Sequence, residues 1–351
     1  MKIDRTELQP GYSISRIIKG GWHLAGGHGA VDERQAIEDM RVFVEAGVTT
    51  FDCADIYTGV EELIGKFMKQ HKDAFTAGDL ASVQIHTKYV PDGNALATLT
   101  KAETVGIIDR SLQRLGVERL DLVQFAWWDY AIHGYVETAL HLTDLQKEGK
   151  IRYIGVTNFD GEHLKELLEA GVPVAANQLQ YSVLDHRVER DLPGLAQEYG
   201  IGYLCYGVIA GGFLSDRYLD SREPVEPLEN RSLIKYRLII DEFGGFAQFQ
   251  EVLQSLRAIA DKYNSGIAEV ATRYILQKHM VAGVIIGARN LDHLTSLEKV
   301  CGFSLDSVDL KTISEIVVGA RGPGGPVFGL EREKEGKHSK IMRYNLNEQR
   351  V

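Results

Sequence analysis

Along this chain, short β-branched or apolar runs alternate with amphipathic stretches, and they do so eight times. The runs are residues 15–19 (SRIIK), 48–54 (VTTFDCA), 83–89 (VQIHTKY), 120–126 (LDLVQFA), 151–157 (IRYIGVT), 174–180 (VAANQLQ), 201–206 (IGYLCY) and 281–287 (VAGVIIG). Their length and composition are those of buried strands. Between them, helical patterns occupy about 32–46, 59–70, 101–115, 134–147, 160–170, 186–199, 266–279 and 290–300. Asp32 and Asp160 stand where helices start, and Gly47, Gly116 and Gly149 stand where they stop. Strand then helix, repeated eight times, predicts an α/β fold of the (β/α)8 TIM-barrel type. A doubly wound sheet uses the same alternation, but no GxGxxG follows an early strand to mark its dinucleotide turn.

Two segments fall outside the repeat. Residues 208–245 form an insertion after the seventh strand, too long for an ordinary strand-to-helix loop. Residues 321–351 open on RGPGGP and end in a charged tail that contains Phe328 and Tyr344. The expectation is therefore one barrel domain over 1–320 and a C-terminal tail or flap over 321–351, either an ordered cover or a mobile end. A chain of 351 residues is within the range of one barrel with insertions.

The chain carries 39 basic and 49 acidic side chains, a net charge of −10, which argues against nucleic acid or an anionic membrane as the main partner. An anionic cofactor is still compatible, because helix N-termini and one or two arginines bind it locally. The three cysteines, Cys53, Cys205 and Cys301, are odd in number, contain no CxxC and sit in apolar contexts, so they read as reduced core thiols. With no signal-peptide h-region and no long apolar stretch, the expected setting is cytoplasmic, without membrane contact. Nothing in the sequence determines an oligomeric state.

The chemistry lies at strand ends. FDCADIY places Asp52 and Tyr57 at the end of the second strand, and HTK places Lys88 at the end of the third. An acid, a phenol and a cation delivered from neighbouring strands are expected to lower the phenol's proton affinity and make Tyr57 a proton donor near neutral pH. The C-terminal ends of the strands are where a barrel of this kind carries its active site.

This trio, with its flanking residues, resembles the aldo-keto reductases over about residues 12–320. The resemblance implies reduction of a small-molecule aldehyde or ketone, with hydride from a nicotinamide and a proton from Tyr57, while Lys88 and Asp52 tune the phenol. It further implies that Thr157 and Asn158 in GVTNF and Gln178 in NQLQYS bind the nicotinamide carboxamide, and that Tyr206 stacks on its ring. In GVIAGGFLSDR, which departs from the family's Ser-Pro-Leu-Gly pattern, Gly207, Gly211, Gly212 and Leu214 fit a loop against the pyrophosphate, with Arg217 near the phosphates. In VIIGARNLDHLTSLEKV, Gly287 and Arg289 resemble the site for an adenosine 2′-phosphate, followed by His293 and Leu297. NADPH is thus the implied cofactor. Ser296 and Leu297 replace the family's Glu-Asn pair, which leaves NADH as an alternative.

One position departs sharply. Ala126, in QFAWWD, stands where the resemblance implies a catalytic His that donates a hydrogen bond to the substrate oxygen. Alanine donates none, so activity is expected to be impaired or altered. Three explanations stay open: an introduced substitution, a natural variant acting on an unusual substrate, or a nucleotide-binding sensor that has lost turnover. His86 sits about two residues deeper on its strand and His133 lies beyond its strand, so neither is expected to replace the imidazole. Trp22, Tyr89, Trp127 and Trp128 are candidates to line an apolar substrate pocket, which points to an aromatic or bulky carbonyl compound.

Overall fold

A computed structural model describes residues 3–25, 31–78, 80–225, 227–288 and 290–347. Eight parallel strands, Ile17–Gly20, Thr50–Asp52, Gln84–Tyr89, Leu120–Phe125, Ile151–Thr157, Val174–Gln180, Gly202–Tyr206 and Val281–Ile286, follow one another around a closed barrel. The eighth pairs with both the seventh and the first, so the barrel has no open edge. The register brings the chemistry-bearing strand ends level: Asp52 lies opposite Gly20 and His86, Lys88 opposite Gln124, and Thr157 opposite Gln178.

Alternation along each strand sorts the side chains into two layers. Deep in the barrel, Ile18, Leu122, Ala176, Leu204 and Ala282 pack on one another. Two residues further along, the same faces carry Gln124, Gln178 and Tyr206, so the interior turns from apolar to polar on approaching the mouth. A hairpin that the sequence pattern does not announce, Arg5–Gln9 paired antiparallel with Tyr12–Ser15, closes the opposite end. Its Leu8, Tyr12 and Ile14 join the inner core, and the Tyr12 hydroxyl lies 3.1 Å from His86 Nε2.

The outer layer departs from expectation in several places. The helix expected over 186–199 is two, Arg187–Asp191 and Pro193–Tyr199, because Pro193 has no N–H with which to continue the first. The insertion after the seventh strand carries a helix of its own, Arg231–Phe243, capped by Asn230. A further helix, Phe246–Lys262, follows Gly244 and Gly245 and buries Phe249, Val252, Leu253, Leu256 and Ile259 at helical spacing. Among the described residues, no helix is long and apolar enough to cross a membrane.

His86 gives the fold a measurable pH response. Burial pushes its pKa from 6.5 down to about 3, so the ring stays neutral in the folded state. Between those two values the unfolded chain binds the proton and the folded one does not, so stability falls as pH falls, by up to about 1.4 kcal/mol per pH unit. His86→Asn is expected to flatten the dependence of unfolding free energy on pH across this window, measured by urea denaturation. Equal slopes in the two proteins would contradict that assignment.

Candidate active site

Strand geometry brings Asp52, Tyr57 and Lys88 together at the barrel mouth. Lys88 Nζ donates to Asp52 Oδ2 at 2.6 Å and to the carbonyl of Cys53 at 2.8 Å, with both side chains buried. The same ammonium lies 4.9 Å from the centroid of the Tyr57 ring. Tyr57 is held in a turn just past the second strand, where its N–H bonds to Ala54 and its carbonyl accepts from Val60. The ring of Trp22 meets it edge-on at 5.1 Å. Asp52 is itself held from the other side, its Oδ1 accepting from Gln124 Nε2 at 3.1 Å and Gln178 Nε2 at 2.6 Å.

The electrostatics correct one expectation. Burial raises the Tyr57 pKa above that of an ordinary phenol, although the Lys88 charge pulls it down. The desolvation of a phenolate outweighs the nearby cation, so the net shift is upward. A phenol protonated at neutral pH is the form that a proton donor requires, and a cation beside it is placed to stabilise a phenolate. Burial pulls the Lys88 pKa down, but Asp52 and Tyr57 more than offset this, and it stays a cation.

Ala126 follows Gln124 on the inward face of the fourth strand, so a side chain at this position points into the mouth. Of the two histidines weighed as replacements, His86 belongs to the barrel floor through Tyr12, and His133 is exposed. Gln124 escaped attention in the sequence, although its position two residues before Ala126 places it on the same face. It joins the second, fourth and sixth strands, because Gln178 Nε2 also donates to Gln124 Oε1 at 2.8 Å.

The fifth to seventh strands supply the remaining polar groups. Asn158 adopts a left-handed conformation, φ 61°, which Asn tolerates better than most residues and which redirects the chain just past Thr157. Its Oδ1 accepts from the Tyr206 hydroxyl at 2.8 Å, and burial keeps that phenol protonated. The loop 207–214 is made for close approach. At Gly207, φ 74°, a Cβ would lie 2.3 Å from the Tyr236 hydroxyl, whereas at Gly212, φ 103°, a Cβ would meet open space. Gly211 rests on Tyr236 as well, and Leu214 is buried beneath the loop. A bare backbone facing open space beside an aromatic and a carboxamide fits a dinucleotide, with Asn158, Gln178 and Tyr206 at the nicotinamide end and the loop along the phosphates.

Other candidates lie elsewhere. Arg217 is exposed and pairs with Glu229 at the surface, at 3.4 Å. Gly287 follows the eighth strand with its carbonyl 3.1 Å from His23 Nδ1, His293 is exposed in a short turn, and Leu297 is buried in the core. Arg289 lies outside the described residues. Tyr89 and Trp127 are corrected: one residue beyond the inward-facing Lys88 and Ala126, they point outward to the helices. The Tyr89 hydroxyl sits 3.2 Å from Thr104 Oγ1, and Trp127 Nε1 donates to the carbonyls of Asp129 and Ile132. Trp22 and Trp128 are nearer the mouth, with Trp128 edge-on to Tyr344 at 5.2 Å.

The C-terminal segment is packed across this end of the barrel. Val327 and Phe328 are buried, Glu331 pairs with Arg187 at 3.0 Å, and Arg332 Nη2 donates to the carbonyls of Trp127 and Asn158. Further on, the N–H groups of Leu346 and Asn347 bond to Asp92. These contacts have no local sequence signal, because each joins residues more than a hundred positions apart.

Fold and site together define a (β/α)8 barrel with a buried Asp52–Lys88 ion pair beside Tyr57 at the C-terminal ends of its strands. Residues 16–318 match the model of the aldo/keto reductase family, and the chain belongs to that family, whose members are NAD(P)H-dependent oxidoreductases acting on carbonyl groups. It is 28% identical over 326 residues to the aldo-keto reductase YhdN of Bacillus subtilis, covering 91% of this chain and 95% of that one. It is 27% identical over 312 residues to a putative aryl-alcohol dehydrogenase of Schizosaccharomyces pombe, covering 81% and 85%. The structure of a glycerol dehydrogenase from Gluconobacter oxydans shares the fold with a TM-score of 0.73 at 22% identity, covering 90% of this chain and 95% of that one.

Because Lys88 is the cation facing the buried Asp52, Lys88→Met is expected to cost about 3–5 kcal/mol of stability in urea denaturation. Tyr57→Phe, which leaves that ion pair intact, is expected to cost about 1 kcal/mol or less. Similar losses in both variants would contradict the central place of the pair.

Proposed function

We propose that this protein reduces an aldehyde or ketone, aromatic or bulky and apolar, to the alcohol with NADPH, NADH being the alternative cofactor. The observation that carries the proposal is the Lys88 ammonium held between the Asp52 carboxylate, at 2.6 Å, and the Tyr57 ring. The nucleotide, when bound, supplies hydride to the carbonyl carbon. Tyr57 hydrogen-bonds the carbonyl oxygen and transfers its hydroxyl proton as negative charge develops there. Lys88 stabilises the resulting phenolate, and Asp52, gripped by Gln124 and Gln178, keeps Lys88 in position. Asn158, Thr157 and Gln178 orient the carboxamide and Tyr206 supports the ring. The aromatic wall formed by Trp22 beside Tyr57 supports the substrate class, as does the likeness to the putative aryl-alcohol dehydrogenase.

Ala126 leaves Tyr57 as the donor to the substrate oxygen at this end of the barrel. Loss of one such donor costs about 10²- to 10³-fold in rate, least for activated carbonyl groups that need little acid assistance. NADPH consumption with an activated aromatic aldehyde, compared between this chain and Ala126→His, tests the reading. The expected outcome is a gain of about a hundredfold in kcat/KM for Ala126→His and a loss of about 10²-fold or more for Tyr57→Phe. Absence of turnover in both this chain and Ala126→His, with NADPH still bound, would replace the reductase by a nucleotide-binding sensor.

A further inference from the structure

The C-terminal segment is joined to the barrel by charges that a simple cover does not need. Glu331 is almost wholly buried and meets Arg187 Nη1 at 3.0 Å and Lys235 Nζ at 3.7 Å. Arg187 is also paired with Asp185 at 2.7 Å, and Asp185 accepts from Gln180 at the end of the sixth strand. Two cations and two anions thus close on one another out of water, drawn from three places distant in sequence. Buried ion pairs are poor sources of stability, because desolvation offsets their attraction, but they are strict about geometry.

That geometry is directed at Tyr206. Lys235 Nζ donates to the Tyr206 hydroxyl at 3.5 Å and lies 4.9 Å from the centroid of its ring, while Phe328 of the tail flanks the same ammonium at 5.5 Å. The Tyr206 hydroxyl in turn donates to Asn158 Oδ1 at 2.8 Å, and Arg332 of the tail holds the Asn158 carbonyl at 3.0 Å. The next helix residue, Tyr236, backs Gly207 and Gly211 of the phosphate-facing loop. One helix of the insertion therefore braces both the aromatic platform and the loop, and the tail braces that helix.

We propose that Lys235, held by Glu331, is a positioning residue for the Tyr206 platform, so that docking of the C-terminal segment and binding of the nicotinamide end of the cofactor form one coupled equilibrium. This rests on the reading of Tyr206 and Asn158 as nicotinamide contacts. Coupling of this kind is reciprocal: whatever factor the docked tail adds to nucleotide affinity, the nucleotide adds to tail docking.

The test uses the full-length protein and two probes: NADPH, and adenosine 2′,5′-bisphosphate, which lacks the nicotinamide. Amide hydrogen exchange across residues 327–347 is followed with each probe, and affinities are measured by quenching of tryptophan fluorescence. Saturating NADPH is expected to slow exchange in the tail by about tenfold and the bisphosphate to leave it unchanged. Lys235→Met is expected to weaken NADPH about tenfold, to spare the bisphosphate, and to abolish the NADPH effect on the tail, with Lys235→Arg restoring all three. Equal tail protection by the two probes, or equal weakening of both by Lys235→Met, would overturn the coupling. If Tyr206→Ala and Asn158→Ala weaken NADPH selectively while Lys235→Met does not, the positioning role alone fails. If none of the three discriminates between the probes, the nicotinamide reading fails with it. Should Lys235→Met not fold, the comparison of the two probes on the unsubstituted protein still decides the matter.

Discussion

The arrangement at the barrel mouth depends on one buried ion pair, Lys88 with Asp52. Neither charge is tolerable alone where almost no water reaches, so each must be satisfied by groups the barrel delivers. Asp52 accepts from Lys88, Gln124 and Gln178, which come from the third, fourth and sixth strands, and Lys88 also donates to the carbonyl of Cys53. The barrel must close, and close in this register, for all of these bonds to form at once. The same requirement places the remaining reach of the ammonium at Tyr57.

A second polar system lies beside the first, around Arg187, Asp185, Glu331 and Lys235. It draws the C-terminal segment and the inserted helix onto the platform side of the mouth. Both systems obey one rule: polar groups removed from water are gathered until their hydrogen bonds are met, and in being met they become rigid. Within that rigid surround the Tyr57 phenol has a raised proton affinity, and the Lys88 ammonium is already in place beside its ring.

Ala126 shows how much one position means in such a setting. The neighbouring inward residue, Gln124, is fully engaged with Asp52 and Gln178, and the nearest histidine on the next strand is committed to the barrel floor. The hydrogen bonds that hold Asp52 come from Lys88, Gln124 and Gln178, and none of these passes through Ala126.

All eight strands were legible in the sequence, because a parallel barrel buries both faces of each strand and so leaves short, dense apolar runs between amphipathic helices. The strand-end residues Asp52, Lys88, Asn158, Gln178 and Tyr206 followed directly, since alternation and strand length already determine where a strand's last inward side chain points. The N-terminal hairpin, the helix Phe246–Lys262 and the break at Pro193 were not foreseen, for their patterns are short or merge with neighbouring ones. Tyr89 and Trp127 were read as pocket residues, and only the phase of their strands shows them facing outward. By itself, then, the sequence determined the repeat, the barrel and the placing of Asp52 and Lys88 at neighbouring strand ends, all of which rest on local periodicity and residue type. Tertiary structure alone decided the upward shift of the Tyr57 pKa, the linking of Asp52 by two glutamines and the seating of Glu331 and Arg332 over the mouth. Desolvation and long-range hydrogen bonds exist only once residues far apart in the chain have excluded water together.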